Sequence, residues 1–167
     1  MKKLLPIAML CLACTTAAVS QDTGKRKLER PERCDVAEVD QFVNKSFDSY
    51  EESLKITEAV NFIRVEGEGD AKTIKNANGE TLTKDAALLQ LGELLIRAKK
   101  QGDNIKSVQD LQPPATESLK KCAMTKKPKA TKNLNKGGEA LNEVVKETKK
   151  QVELIERQIA DIKAMKG

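Results

Sequence analysis

The sequence predicts an all-α fold: an up-down-up bundle of three long helices with one disulfide and a small β-hairpin in the first inter-helix loop. Three observations carry this expectation. Three stretches of the chain place apolar residues at steps of three and four, the spacing that lines one face of a helix. The aromatic residues are few and all lie within Phe42–Phe62, so the rest of the core must be aliphatic. Two cysteines, Cys34 and Cys122, remain once a secretory leader is removed, an even pair suited to an oxidising compartment.

The leader is read from the first 20 residues. Lys2 and Lys3 give a positive start, Leu4 to Ala13 an apolar stretch too short to span a bilayer, and "TTAAVSQD" supplies small residues for cleavage before Gln21. The expected mature chain is exported and has no transmembrane helix. Within the leader, "LCLAC" resembles the bacterial lipobox, although Cys11 stands where that motif has leucine. The resemblance makes Cys14 a candidate lipidation site. Residues 21–34 are polar and without apolar periodicity and read as a flexible tail, followed by a single helical domain over 35–167.

The first helix is expected over about 35–65. "DVAE", Asp35 to Glu38, has the spacing of a capping box, and Val36, Val39, Val43, Phe47, Tyr50 and Leu54 follow on one face until "EGEGD". "AKTIK-NANG-ETLT" then holds two short β-prone pieces around a turn-forming Asn-Gly. The second helix, about 83–112, carries Leu88, Leu91, Leu95, Ala98, Ile105 and Val108; Gly102 marks a candidate kink, and Pro113 and Pro114 are the expected stop. The third, about 138–166, alternates steps of four and three from Leu141 through Ile155 to Ile162. Helices of matched length bury their apolar stripes best against one another. That topology brings Cys34 and Cys122 to the same end, where a bridge closing so long a loop would contribute roughly 4 to 5 kcal/mol.

Composition excludes much chemistry. There is no histidine, so no Ser/His/Asp or Cys/His set can be assembled, and without histidine or C-x-x-C a zinc site cannot be completed. Asp70, Asn76 and Asn78 do not fit a calcium loop, and no phosphate-binding glycine motif occurs. The sequence therefore predicts no catalytic residue, no metal and no cofactor.

Charge is segregated. Between Glu117 and Glu139 the chain holds Lys120, Lys121, Lys126, Lys127, Lys129, Lys132 and Lys136 and no acid. Loss of Lys2 and Lys3 with the leader lowers the net charge from +5 to +3, so these seven lysines leave the remainder near −4. The stretch reads first as a solvated connector, with Gly137-Gly138 releasing the chain into the third helix, and second as a contact for an anionic partner. It has no arginine to read bases and no aromatic ring to stack on them, which argues against nucleic acid. The expectation is an exported, non-enzymatic helical protein of the bacterial cell envelope. Its role would be binding or scaffolding of a protein or an anionic surface, through its helical face and basic connector. The alternative is a membrane-tethered lipoprotein acting as a spacer; the third helix's regular seam is compatible with self-association without requiring it.

Overall fold

The computed structural model describes residues 27–165; the expected leader, with the candidate lipidation site Cys14, lies outside them. The described chain is mostly helical with one small sheet. Its elements are α1 (Ala37–Asn61), β1 (Arg64–Glu66), a 3-10 turn (Gly69–Ala71), β2 (Thr73–Lys75), β3 (Thr81–Leu82), α2 (Lys84–Gln109), α3 (Gln112–Lys121) and α4 (Lys127–Ala164).

The segment expected to be a flexible tail is, from Leu28 onward, a strap laid along α1. The Leu28 backbone N–H donates to the Tyr50 hydroxyl over 3.2 Å, and the Arg30 guanidinium reaches Asp48 at 2.8 Å and Glu51 at 3.0 Å while lying over the Phe47 ring. The Glu32 carbonyl accepts from the Asn133 amide of α4 at 2.6 Å. The strap ends at buried Cys34. The capping box expected at Asp35 and Glu38 is not formed. Asp35 takes φ 58°, Val36 caps α1 without a side-chain bond, and the buried Asp40 carboxylate accepts instead from the backbone N–H groups of Cys34 (2.8 Å) and Asp35 (3.0 Å).

α1 stops at Asn61, short of the expected 65, because Arg64–Glu66 leaves the helix to pair antiparallel with β2. The expected hairpin is present as β2 and β3, with Ile74 opposite Leu82. Its turn is held by Asn76, whose side-chain oxygen accepts from the N–H groups of Asn78 and Glu80, and by Gly79 at φ 76°. Buried Ile74 anchors the sheet to the helices.

α2 begins on a Thr83 cap that accepts from the Ala86 N–H and runs without a break through Gly102. It ends at Gln109, and Pro113 and Pro114 open α3 rather than merely closing α2; proline suits the first turn of a helix, where its missing N–H would be unbonded anyway. α4 likewise starts with Pro128 in its first turn, eleven residues before the expected boundary, and passes straight through Gly137 and Gly138. Gly137 is present for packing: a Cβ there would lie 2.9 Å from the Phe42 ring and 3.2 Å from Val43.

Side-chain bonds fix how the long helices run past one another. Along α1 and α2 they occur in opposite order, Ser49 with Gln101 and Glu52 with Arg97. Along α1 and α4 they occur in the same order, Ser53 with Gln151 and Val60 with Gln158. The interior contains two apolar clusters. One gathers Phe42, Phe47, Val108, Ala115 and Leu141 near the start of α1; the other gathers Ile56, Ile63, Ile74, Leu91, Leu94 and Ile155 near the sheet. Between them lies a buried polar layer of Ser49, Ser53, Gln101, Thr148 and Gln151, to which all three long helices contribute.

The expected disulfide is absent: Cys34 and Cys122 are free thiols. They do border the same apolar cluster. Each sulfur has an acceptor within its own segment, Cys34 Sγ donating to Asp40 Oδ1 and Cys122 Sγ to the Leu119 carbonyl, both over 3.2 Å.

Candidate functional site

The seven lysines expected on a connector stand on helices. Lys120 and Lys121 close α3, where cations suit the negative end of the helix, and Lys126 caps α4. Lys127, Lys129, Lys132 and Lys136 project from its first three turns. Lys129, Lys132 and Lys136 fall at i, i+3 and i+7 and so share one flank of α4. Four of the seven have partners: Lys120 pairs with Glu117 at 2.6 Å and Lys129 with Glu32 at 3.3 Å, Lys126 donates to the Asp35 carbonyl and Lys127 to that of Lys120. Among the described residues no carboxylate pairs with Lys121, Lys132 or Lys136. The first turn of α4 also lacks an acidic residue, so the positive end of its dipole is not offset there and adds to the potential of this corner.

At the same end, the Asp40 carboxylate is held below its ordinary range. Burial opposes the charge, but hydrogen bonds from the Cys34 N–H, the Cys34 thiol and the Asp35 N–H, with Arg33 3.7 Å away, outweigh it. Burial and the neighbouring carboxylate push the Cys34 thiol up. A thiol so held is a poor nucleophile. The exposed Glu38 carboxyl is held low by its own backbone N–H and by Ser118, which ties α3 to the start of α1.

A groove of about 610 Å³ runs between α1 and α2. Gln41, Lys45, Asp48, Ser49 and Glu52 line it from one face of α1, and Arg97, Lys100, Gln101, Asn104, Ser107 and Val108 from the facing side of α2. Its two carboxylates are already engaged: Arg97 bonds Glu52 through Nη2 at 2.7 Å and Nε at 3.1 Å, and Arg30 of the strap holds Asp48. Lys45 and Lys100 have no carboxylate partner among the described residues. Gln101, only 6 % exposed, donates to the Ser49 carbonyl at 2.9 Å, while its Oε1 is buried without a partner. Beyond Arg97 a second hollow, about 350 Å³, is bordered by Ala59, Phe62, Ile63 and Leu94.

No family model, curated protein or solved structure matches this chain. The site must be read from its own chemistry. Among the described residues no group of three or more cysteines and carboxylates is placed to hold a metal ion, and no helix is long and apolar enough to cross a membrane.

Sequence reasoning located the lysines but missed the groove. Its signal was present in the polar faces 41, 45, 48, 52 and 97, 100, 104, 107, each at helical spacing. Nothing in the sequence said that these two faces meet.

Proposed function

We propose that this chain is an exported, non-enzymatic helical protein of the bacterial cell envelope, an up-down-up bundle of α1, α2 and α4 braced by α3, which binds anionic membrane surface through its basic corner. The observation that carries the reading is the placement of Lys129, Lys132 and Lys136 on one flank of a continuous helix, with Lys121 nearby and three of these four ammonium groups unpaired. Clustered lysines gain about 1 kcal/mol each near an anionic headgroup layer. Ordered on a helix, they lose little further freedom on binding. Export rests on the sequence of residues 1–20.

Co-sedimentation with vesicles of phosphatidylcholine containing one-third phosphatidylglycerol tests the reading. The protein should sediment with these vesicles, stay in solution with pure phosphatidylcholine, and be released by salt. The triple variant K129Q/K132Q/K136Q should weaken partitioning by about two orders of magnitude, from three lysines at about 1 kcal/mol each. Equal binding of the variant, or binding that resists high salt, would defeat it. The tethered alternative, resting on "LCLAC", is decided by the intact mass of the mature protein: a chain starting at Gln21 with no added mass excludes lipidation at Cys14.

A further inference from the structure

We infer that the α1–α2 groove is a second binding site, independent of the basic corner, and that its ligand class is a short acidic oligosaccharide. The ligand must be anionic because the groove's carboxylates are committed to Arg97 and Arg30, which leaves the Lys45 and Lys100 ammonium groups uncompensated. It must also be rich in hydroxyl groups. Gln41, Asn104 and Ser107 all face the groove and, among the described residues, none has a side-chain partner; amide and hydroxyl side chains both donate and accept, as sugar hydroxyls do. A bare inorganic anion would use only their donors.

The shape agrees with a chain rather than a single small ion. Residues 41 to 52 carry the lining along α1 for about 16 Å at 1.5 Å per residue, and the volume falls in the range of small-molecule sites. No aromatic side chain lines the groove, which leaves nothing for a nucleobase to stack on. At one end half-buried Leu111 offers apolar surface to the C–H face of a sugar ring. At its base buried Gln101 is fixed to α1 through the Ser49 carbonyl, which holds the two walls of the groove together.

Tetragalacturonic acid is the probe, titrated into isotopically labelled full-length mature protein and followed by amide chemical shifts. Saturable shifts should appear within 41–52 and 97–108, and K45Q/K100Q and N104A/S107A, all exposed substitutions, should each weaken binding by about tenfold or more, the loss of one or two charge-assisted or neutral hydrogen bonds. K129Q/K132Q/K136Q should bind the probe as the parent does, which separates this site from the basic corner. Maltotetraose, with the hydroxyls but no charge, and tetraglutamate, with the charge but no hydroxyls, should both bind at least tenfold more weakly. No saturable shift at millimolar probe, shifts centred on α3 and the start of α4, or equal affinity for either control peptide or sugar would overturn the assignment.

Discussion

The Gln151 amide of α4 lies 2.8 Å from the Ser53 carbonyl of α1, and the same nitrogen approaches Ser53 Oγ at 3.0 Å and Thr57 Oγ1 at 2.7 Å. One buried side chain thus ties the two most extensively packed helices at mid-height. Removing it by Gln151→Ala deletes these bonds and opens a cavity, and should cost about 2 to 4 kcal/mol in urea unfolding. Gln151→Met fills the same space and removes an unpartnered Oε1 as well, so its cost should be under about 1.5 kcal/mol. A larger loss for methionine than for alanine would contradict this account.

Adjacent glycines should respond in opposite ways. At Gly137 an added methyl meets Phe42 and Val43 at 2.9 to 3.2 Å, so Gly137→Ala should destabilise by about 1 to 3 kcal/mol despite alanine's better helix propensity. Gly138 has no neighbour within 4 Å of the added carbon, and Gly138→Ala should stabilise by up to about 1 kcal/mol. Paired thermal melts check both. A chain of this size shifts by roughly 2 to 4 °C per kcal/mol.

Asp40 makes stability depend on acid. Its folded-state pKa lies below its unfolded value, so its contribution is complete above the ordinary carboxylate range and is lost as pH falls through that range to the lower folded value. Stability measured from pH 6 down to pH 2 should therefore fall more steeply for the parent than for Asp40→Asn. At pH 7 the variant should be weaker by about 1 to 3 kcal/mol, since the Cys34 and Asp35 N–H groups lose a charged acceptor. Parallel acid limbs for the two proteins would rule Asp40 out as the source.

The two thiols should be chemically unequal. Cys122 is half-buried and opens on a shallow cleft beside Asp35 and Lys126, whereas Cys34 is 3 % exposed with its thiol held up by burial and Asp40. Alkylation of the native protein with iodoacetamide, followed by peptide mass analysis, should modify Cys122 first and Cys34 only on unfolding. Failure of both to react after unfolding without reductant would show that they pair in solution.

How much of this was readable in the sequence depended on whether the deciding signal was local. The apolar stripes of α1, α2 and α4 are periodic, and Asn-Gly chemistry placed the β2–β3 turn at Asn76–Gly79. β1 was missed because Arg64, Val65 and Glu66 are all exposed and form no alternation; only pairing to β2 makes them a strand. The α3–α4 region was read as a connector because Pro113, Pro128, Gly137 and Gly138 suggest breaks, yet the prolines sit at helix starts and Gly137 is selected by a ring across the interface. The strap was invisible for want of more than one apolar residue, and it is secured by Tyr50, Phe47 and Asn133 from elsewhere. That the two cysteines reach one end followed from helix order; that their sulfurs turn to Asp40 and Leu119 did not.

The buried polar layer also fixes alignment. Away from the close Gly137–Phe42 contact, the aliphatic stripes alone would pack nearly as well after α4 slid along α1 by one turn, because one leucine or isoleucine replaces another with little loss. Gln101, Gln151 and their acceptors Ser49 and Ser53 meet in a single axial setting, and any slip would strand amides in an apolar interior. Together with the Gly137–Phe42 contact, these few side chains give an aromatic-poor interior a unique register, in the manner of a single buried asparagine in a coiled coil. Replacing all of them with apolar residues should raise the unfolding temperature while broadening the amide spectrum, and a spectrum as sharp as the parent's would assign the register to the apolar stripes instead.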